Sequence, residues 1–288
     1  MLAALRVEFS KFYRHRATYA GFVLLLAMSG LVVYAAAKDA RNHERRVKAE
    51  IQRSLGGDFI VAGKIMTAAF VPRAILFAKL PVYVFLAAMV AMAAGGAVAS
   101  EYSSGTLRTL LCRPVRRTYV VLAKWLVNSV HAVSLTLFLG ATGLGLGYIF
   151  LGSGDLVWIE MQRGGFQIVP ELEAIRNLTF AYLLQGLSMV AIASIALCLS
   201  CAVGRGATAA GITVGFLLLS GMVAVMPFES LEKIQPYLLT THMTAFEHVL
   251  DKAPDWAEIR RAVLWVSGYA VTALVGALLI MGRREIKC

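Results

Sequence analysis

Six stretches of this chain run to membrane depth without a single Asp, Glu, Lys or Arg: residues 17–37, 80–100, 125–154, 177–204, 206–228 and 262–282. A helix needs about 20 apolar residues to cross a hydrocarbon core of roughly 30 Å. Hydrocarbon offers the backbone no hydrogen bonds, so such segments must satisfy their own amides as helices. The third and fourth runs exceed the requirement, so their spans are set at 125–151 and 177–203, with the third tilting or projecting beyond the bilayer. The expected fold is an all-α integral membrane protein, one transmembrane domain over residues 1–288 with six transmembrane helices. Composition agrees: 59% of residues are hydrophobic and 16% charged, against about half and a quarter in soluble domains. A soluble enzyme, a disordered tail and a collagen-like fibre are excluded.

The first run ends in Ala35-Ala36-Ala37, which offers a signal-peptidase pattern. It is nevertheless longer than the usual signal core of about 7–15 residues, and it follows a polar segment, so it reads as a retained span. Orientation follows from the basic flanks. Arg6, Lys11, Arg14 and Arg16 precede the first span. Arg108, Arg113, Arg116, Arg117 and Lys124 lie between the second and third, Arg205 between the fourth and fifth, and Arg283, Arg284 and Lys287 after the sixth. These four segments share one side, which puts both termini in the cytoplasm. The acidic links around Asp155–Glu173 and within 229–261 then face outward. The 38–79 link, with nine bases and four acids, opposes the rule yet falls outside by parity. The net charge of +11 therefore marks cytoplasmic ends and loops, and no nucleic-acid partner is expected.

Outside the spans, Leu2, Leu5, Phe9 and Phe12 recur at helical spacing. Residues 1–16 read as an amphipathic interfacial helix on the inner leaflet, with Lys11 and Arg14 toward headgroups; the alternative is an untethered basic terminus. Residues 38–79 and 229–261 are the extracytoplasmic segments. The first continues helix one until Gly56-Gly57 breaks it, and residues 59–71 lie at the membrane surface before Pro72. The second, punctuated by Pro227, Pro236 and Pro254, breaks into two or three short helices, either an outer gate or an ordinary surface loop.

The strongest signal follows the second span. Glu101 is succeeded by Gly105-Thr106-Leu107-Arg108, then Leu110-Leu111, then Arg113-Pro114-Val115-Arg116-Arg117 and Lys124. Leu107, Leu110 and Leu111 share a helical face, and Pro114 disfavours helix through Arg113. Residues 101–118 form a short cytoplasmic amphipathic helix whose apolar face fits either the membrane or a groove in another protein. Gly105 permits a tight change of direction, and Glu101 sits where a basic partner would meet it.

These residues resemble the E-x-x-x-G-T-L…P-v-s-R…K segment of type-2 permeases of ATP-binding-cassette (ABC) transporters, with Arg116 where the family often has Ser. The close match covers about 25 residues; the six spans and amphipathic N-terminus extend it loosely along the chain. The resemblance implies that 101–118 is the coupling helix, in which Glu101, Gly105, Thr106, Leu107, Arg108, Leu110, Leu111, Arg113, Pro114 and Arg116 engage a separate ATPase subunit. It also implies a second permease subunit, the same or different, in a bacterial plasma or inner membrane. It favours an exporter working by alternating access, with ATP and Mg on the partner and no cofactor on this chain.

No phosphate-binding G-x-x-x-x-G-K-[ST], no H-E-x-x-H and no G-x-S-x-G occurs, so no catalytic residue and no metal site is assigned. His242 and His248 do not share a helical face, and Cys198 and Cys201 read as small apolar packing. Asn128, His131 and Ser134 recur on the third span, and Gln185 and Ser188 on the fourth; they make interhelical hydrogen bonds or line a pathway. Gly140, Gly143 and Gly147, and likewise Gly211 and Gly215, give smooth helix faces for packing within or between subunits. The rival from another class is an ATPase-independent secondary transporter or channel. It calls for ionisable residues inside the spans or a repeat of the two halves, and neither is visible.

Overall fold

The computed structural model describes residues 2–54, 66–78, 81–106, 117–160, 165–228, 231, 233–250 and 254–283. Most of the coupling segment falls outside them, including Leu107, Arg108, Leu110, Leu111, Arg113, Pro114 and Arg116. So does much of the 59–71 surface segment.

The chain opens with α1 (Leu2–Arg14), which bends at His15 into α2 (Arg16–Ser54). A 39-residue helix is about 58 Å long, so α2 passes through the hydrocarbon and projects well beyond it. The short α3 (Phe70–Phe77) follows, then a π-helical turn (Pro81–Leu86) that feeds α4 (Ala87–Ser103). Next come α5 (Arg117–Phe150), a hairpin of β1 (Leu156–Glu160) and β2 (Gly165–Val169), α6 (Glu171–Ala202) and α7 (Gly206–Val225). Short elements then lead through α8 (Leu239–His242) and α9 (Phe246–Leu250) to α10 (Trp256–Arg283). Six helices, α2, α4, α5, α6, α7 and α10, are long and apolar enough to cross a membrane.

The centre of the bundle is α6, which packs on α10, α5, α4 and α7. Its apolar window is 61% buried, against 17% for α2 and α10. Small residues explain the close approach: Ala181, Gly186, Ala191, Ala193 and Ala196 line it, and the four alanines are almost fully enclosed. Because α6 is apolar all round, sequence periodicity carries no information about which face is which.

The two glycine faces have different fates. Gly140 lies against the ring of Tyr182, Gly143 against Ile75 and Pro72, and Gly147 against the backbone of Ala68. That face packs within the chain. Gly211 and Gly215 meet open space. Elsewhere Cys201 is fully buried beside Val98, Val121 and Leu197, as small apolar packing requires.

The hairpin departs from an all-α fold. Leu156 pairs with Val169 in antiparallel register, and both side chains are buried. The sequence of the acidic link around Asp155–Glu173 does not announce this hairpin, because five-residue strands carry too few residues to show a period. The hairpin is tied to the 66–69 turn by Ala68 N–H donating to Gly152 O at 3.0 Å and Thr67 Oγ1 to Asp155 O at 3.3 Å. Asp155 Oδ1 in turn accepts from Glu171 N at 3.2 Å, satisfying an otherwise orphaned amide of the first turn of α6.

Between α7 and α10 the segment breaks into short helices, with Pro227 just past the end of α7 and Pro236 inside a 3₁₀ turn, Gln235–Tyr237. Gln235 Nε2 donates to Met226 O at 2.9 Å and Val223 O at 3.3 Å, satisfying terminal carbonyls of α7. Phe246 is fully buried edge-on to Phe77 at 5.9 Å. His242 stacks on Trp265 and its ring Nε2 pairs with Pro236 O at 2.8 Å, so its role here is to hold this cap.

Candidate functional site

The end of α4 sets the site. Helix α4 terminates as the residue after its C-cap, Gly105, takes φ +73°. That left-handed conformation is the usual glycine stop and redirects the chain. Among the described residues nothing stands within 4 Å of a Cβ at Gly105, and the positive φ makes the requirement for glycine conformational. Two hydroxyls secure the turn: Ser104 Oγ and Thr106 Oγ1 each donate to the carbonyl of Glu101 at 3.3 Å, and they lie 2.9 Å from one another. The motif residues Glu101, Gly105 and Thr106 thus form one structure, a capped helix end from which residue 107 onward departs.

Glu101 is also the hub of a buried charge cluster. Its Oε1 lies 2.8 Å from Nζ of Lys124 and is bonded as well by Nζ of Lys11. Lys124 Nζ donates further to Glu8 Oε2 at 2.9 Å. Lys124 is 3% exposed, Glu101 8% and Glu8 10%, whereas Lys11 is 52% exposed. Two lysines and two glutamates balance to zero, which makes burial tolerable; an unpaired charge at such a place costs several kcal/mol. The cluster ties the end of α4 to the first turns of α5 and to the middle of α1.

Helix α1 owes its position to the same contacts. Leu5, Glu8, Phe9 and Phe12 recur at helical spacing on the face turned toward α5. Phe12 and Tyr13 meet the ring of His131 at 4.9 and 6.3 Å, and Phe22 of α2 completes the aromatic surround at 5.7 Å. The bend at His15 is held by Thr18 Oγ1 donating to Phe12 O at 2.7 Å. The apolar face of α1 therefore packs on protein, and its basic face is the exposed one.

Sequence reasoning missed Glu8 and Lys11 as members of this site. One signal was available: Glu8 is the only acid in 1–16 and falls on the apolar face, where a carboxylate demands a buried cation.

The interior polar residues are less concentrated. Asn128 is buried one turn above Lys124 and donates to its carbonyl at 2.8 Å. His131 is enclosed by the three rings named above. Gln185 is fully buried and Ser188 nearly so; Ser188 Oγ donates to Leu184 O at 3.3 Å. Trp125 Nε1 donates to Ser194 Oγ at 2.8 Å, and Gly140 faces Tyr182, which fixes α5 and α6 antiparallel. Gln185 then sits at the level of residues 133–140, deeper in the bundle than Asn128 and His131. Among the described residues no hydrogen bond joins Asn128 or His131 to Gln185 or Ser188.

Chemically the cluster is a mechanical joint. It joins three helices, α1, α4 and α5, at the point where the chain leaves α4. A family model described as "ABC-2 family transporter protein" matches residues 2–281. The chain is also similar to "Uncharacterized protein YhcI" of Bacillus subtilis (strain 168), 31% identical over 136 residues, which take in 46% of this chain and 42% of that protein. The match thus spans less than half the length of the relative.

Proposed function

The chain belongs to the ABC-2 transporter family, and on that premise we propose that it is the membrane permease subunit of an ATP-driven exporter in the cell membrane. Two permease subunits, identical or not, pair with two ATPase subunits that carry ATP and Mg. Both termini and the 101–118 segment face the cytoplasm, α1 lies at the inner leaflet, and residues 38–79 and 229–261 lie outside.

The observation that carries this reading is the joint at Glu101. Residues 101–118 act as the coupling helix, through Glu101, Gly105, Thr106, Leu107, Arg108, Leu110, Leu111, Arg113, Pro114 and Arg116. When ATP draws the ATPases together, the segment is displaced. Because Glu101 is tied to Lys124 and through it to Glu8, the displacement moves α4, α5 and α1 as one body rather than bending α4 alone. Accessibility then switches sides, as alternating access requires. Asn128, Gln185 and Ser188 are the polar groups that cargo meets as α5 and α6 part; His131, ringed by Phe12, Tyr13 and Phe22, is the one it meets where α2 also draws away.

Co-expression with a soluble P-loop ATPase, mild solubilisation and capture of the tagged chain test the reading. Gly105→Pro forces φ near −65° where +73° is needed, and it is expected to abolish ATPase recovery while the permease stays in the membrane. Leu107→Asp with Leu110→Asp should do the same. Unchanged recovery in both variants would remove the coupling assignment, and no recovery even with the native chain would favour an ATPase-independent transporter. Topology is tested separately. A Cys placed beside Glu171 should react with an impermeant maleimide from outside, and native Cys112 should be protected until the membrane is opened. The reverse pattern inverts the orientation.

A further inference from the structure

We propose that the exposed face of α1 binds the phosphate headgroup of an anionic inner-leaflet phospholipid, and that Lys11 links its occupancy to the ion-pair joint at Glu101. This rests on the cytoplasmic placement of α1 given above.

The face is built from Arg6, Val7, Ser10, Lys11 and Arg14, which line one shallow groove, and all five are exposed. Arg6, Ser10 and Arg14 repeat every fourth residue, and Val7 and Lys11 form the adjoining row, so the groove runs along the helix axis. Its charge is of one sign. Glu8, the only acid of residues 1–16, is turned inward and paired with Lys124, so among the described residues the carboxylate at the edge of the groove is that of Glu101, bonded to Lys11. His15 and Arg16, also exposed, extend the positive surface.

Chain continuity selects lipid over a protein partner. Arg14 precedes Thr18, the first residue of the α2 span, by about one helical turn. The cations of the second half of α1 are thereby held at headgroup depth. Val7, 59% exposed, places an apolar surface between the cations, where an acyl chain begins below its phosphate.

Lys11 belongs to two sites. Its ammonium has three donors; it bonds Glu101, yet the side chain is half exposed on the groove. A bound phosphate and the Glu101 carboxylate are both anions drawing on one cation. Headgroup binding therefore weakens the Lys11–Glu101 contact, and by linkage the loss of Glu101's charge strengthens headgroup binding by the same factor. Glu101 keeps Lys124 throughout, so the lipid tunes how tightly α1 is joined to the end of α4 without dismantling the joint.

The test is a native mass-spectrometric titration of the full chain, without ATPase, using palmitoyl-oleoyl phosphatidylglycerol against the phosphatidylcholine of the same chains. The native chain is expected to retain one phosphatidylglycerol in preference to phosphatidylcholine. With each cation near an anionic headgroup worth about fivefold, Arg6→Gln with Arg14→Gln should weaken phosphatidylglycerol about 25-fold and leave phosphatidylcholine unchanged. Glu101→Gln should strengthen phosphatidylglycerol severalfold, and adding Lys11→Ala should erase that gain. Lys11→Ala alone, at an exposed position, should weaken it about fivefold; unchanged affinity in that variant removes Lys11 from the site and overturns the link to Glu101. Equal retention of the two lipids, or full phosphatidylglycerol affinity in the Arg6/Arg14 variant, overturns the site. Loss of ATPase capture in that variant with lipid affinity intact assigns the face to the ATPase and overturns it too. Because the titration contains no ATPase, its failure leaves the permease reading standing, and failed ATPase capture by the native chain leaves the lipid result standing.

Discussion

Replacing Lys124 by methionine is expected to destabilise the chain by about 3–5 kcal/mol, the usual cost of breaking a buried ion pair from one side. The magnitude follows from what remains. Methionine fills much the same volume, so packing loss is small. Glu8 and Glu101, however, stay within the former reach of one ammonium, both nearly buried, with only the half-exposed Lys11 to balance them. The apparent melting temperature in detergent should fall by on the order of 10 °C. On the proposed coupling role, recovered ATPase should fall with it, because α1 and the end of α4 lose their common anchor. A compensated variant separates stability from transmission. Adding Glu8→Gln and Glu101→Gln removes the stranded charges and should restore most of the melting temperature, since a buried pair replaced by neutral groups is often tolerated. It should not restore ATPase stimulation, because the ion pairs that tie the end of α4 to α5 and α1 are then gone. A melting temperature unchanged in Lys124→Met would show that the cluster is hydrated and that its charges are not coupled as described.

The second large effect concerns the glycine face of α5. A Cβ at Gly147 would stand 2.7 Å from the carbonyl oxygen and 3.0 Å from the Cα of Ala68. A Cβ at Gly140 would stand 2.9–3.0 Å from Tyr182 ring atoms. Neither obstacle yields easily. Ala68 is backbone, and its N–H is fixed to Gly152 O; the Tyr182 hydroxyl is held by Pro72 O at 2.9 Å. Gly147→Ala and Gly140→Ala should therefore each cost about 1–3 kcal/mol through overpacking, and Gly140→Ala should cost more where it breaks the buried hydrogen bond. The control is Gly211→Ala, where the Cβ enters open space and the gain in helix propensity makes the change neutral to mildly stabilising. Melting curves of the three variants decide the matter. A Gly211→Ala protein that dissociates or melts early would reveal a contact on that face, and a tolerant Gly147→Ala would mean that the 66–69 turn is not packed on α5.

Much of the architecture was legible before any coordinates. Six charge-free runs define the membrane helices because hydrocarbon tolerates neither bare charge nor bare backbone. The prolines at 227 and 236 marked breaks for local reasons that sequence carries directly, while the expected break at Gly56-Gly57 lies outside the described residues. Glu101 and Gly105 were visible as a pattern, and the turn at Gly105 needs only its own φ to be understood. The tertiary structure decided what a linear reading has no means to hold. It brought Lys11 to Glu101 and Glu8 to Lys124, partners far away in the chain. It sent Gly140, Gly143 and Gly147 of α5 into the chain's own core and left Gly211 and Gly215 of α7 open among the described residues, and it surrounded His131 with rings from two other helices. Membrane helices are apolar on every side, so periodicity cannot say which face meets which neighbour. Burial and pairing are set by where the helices cross, and a charge on an apolar face finds its partner only when the chain closes around it.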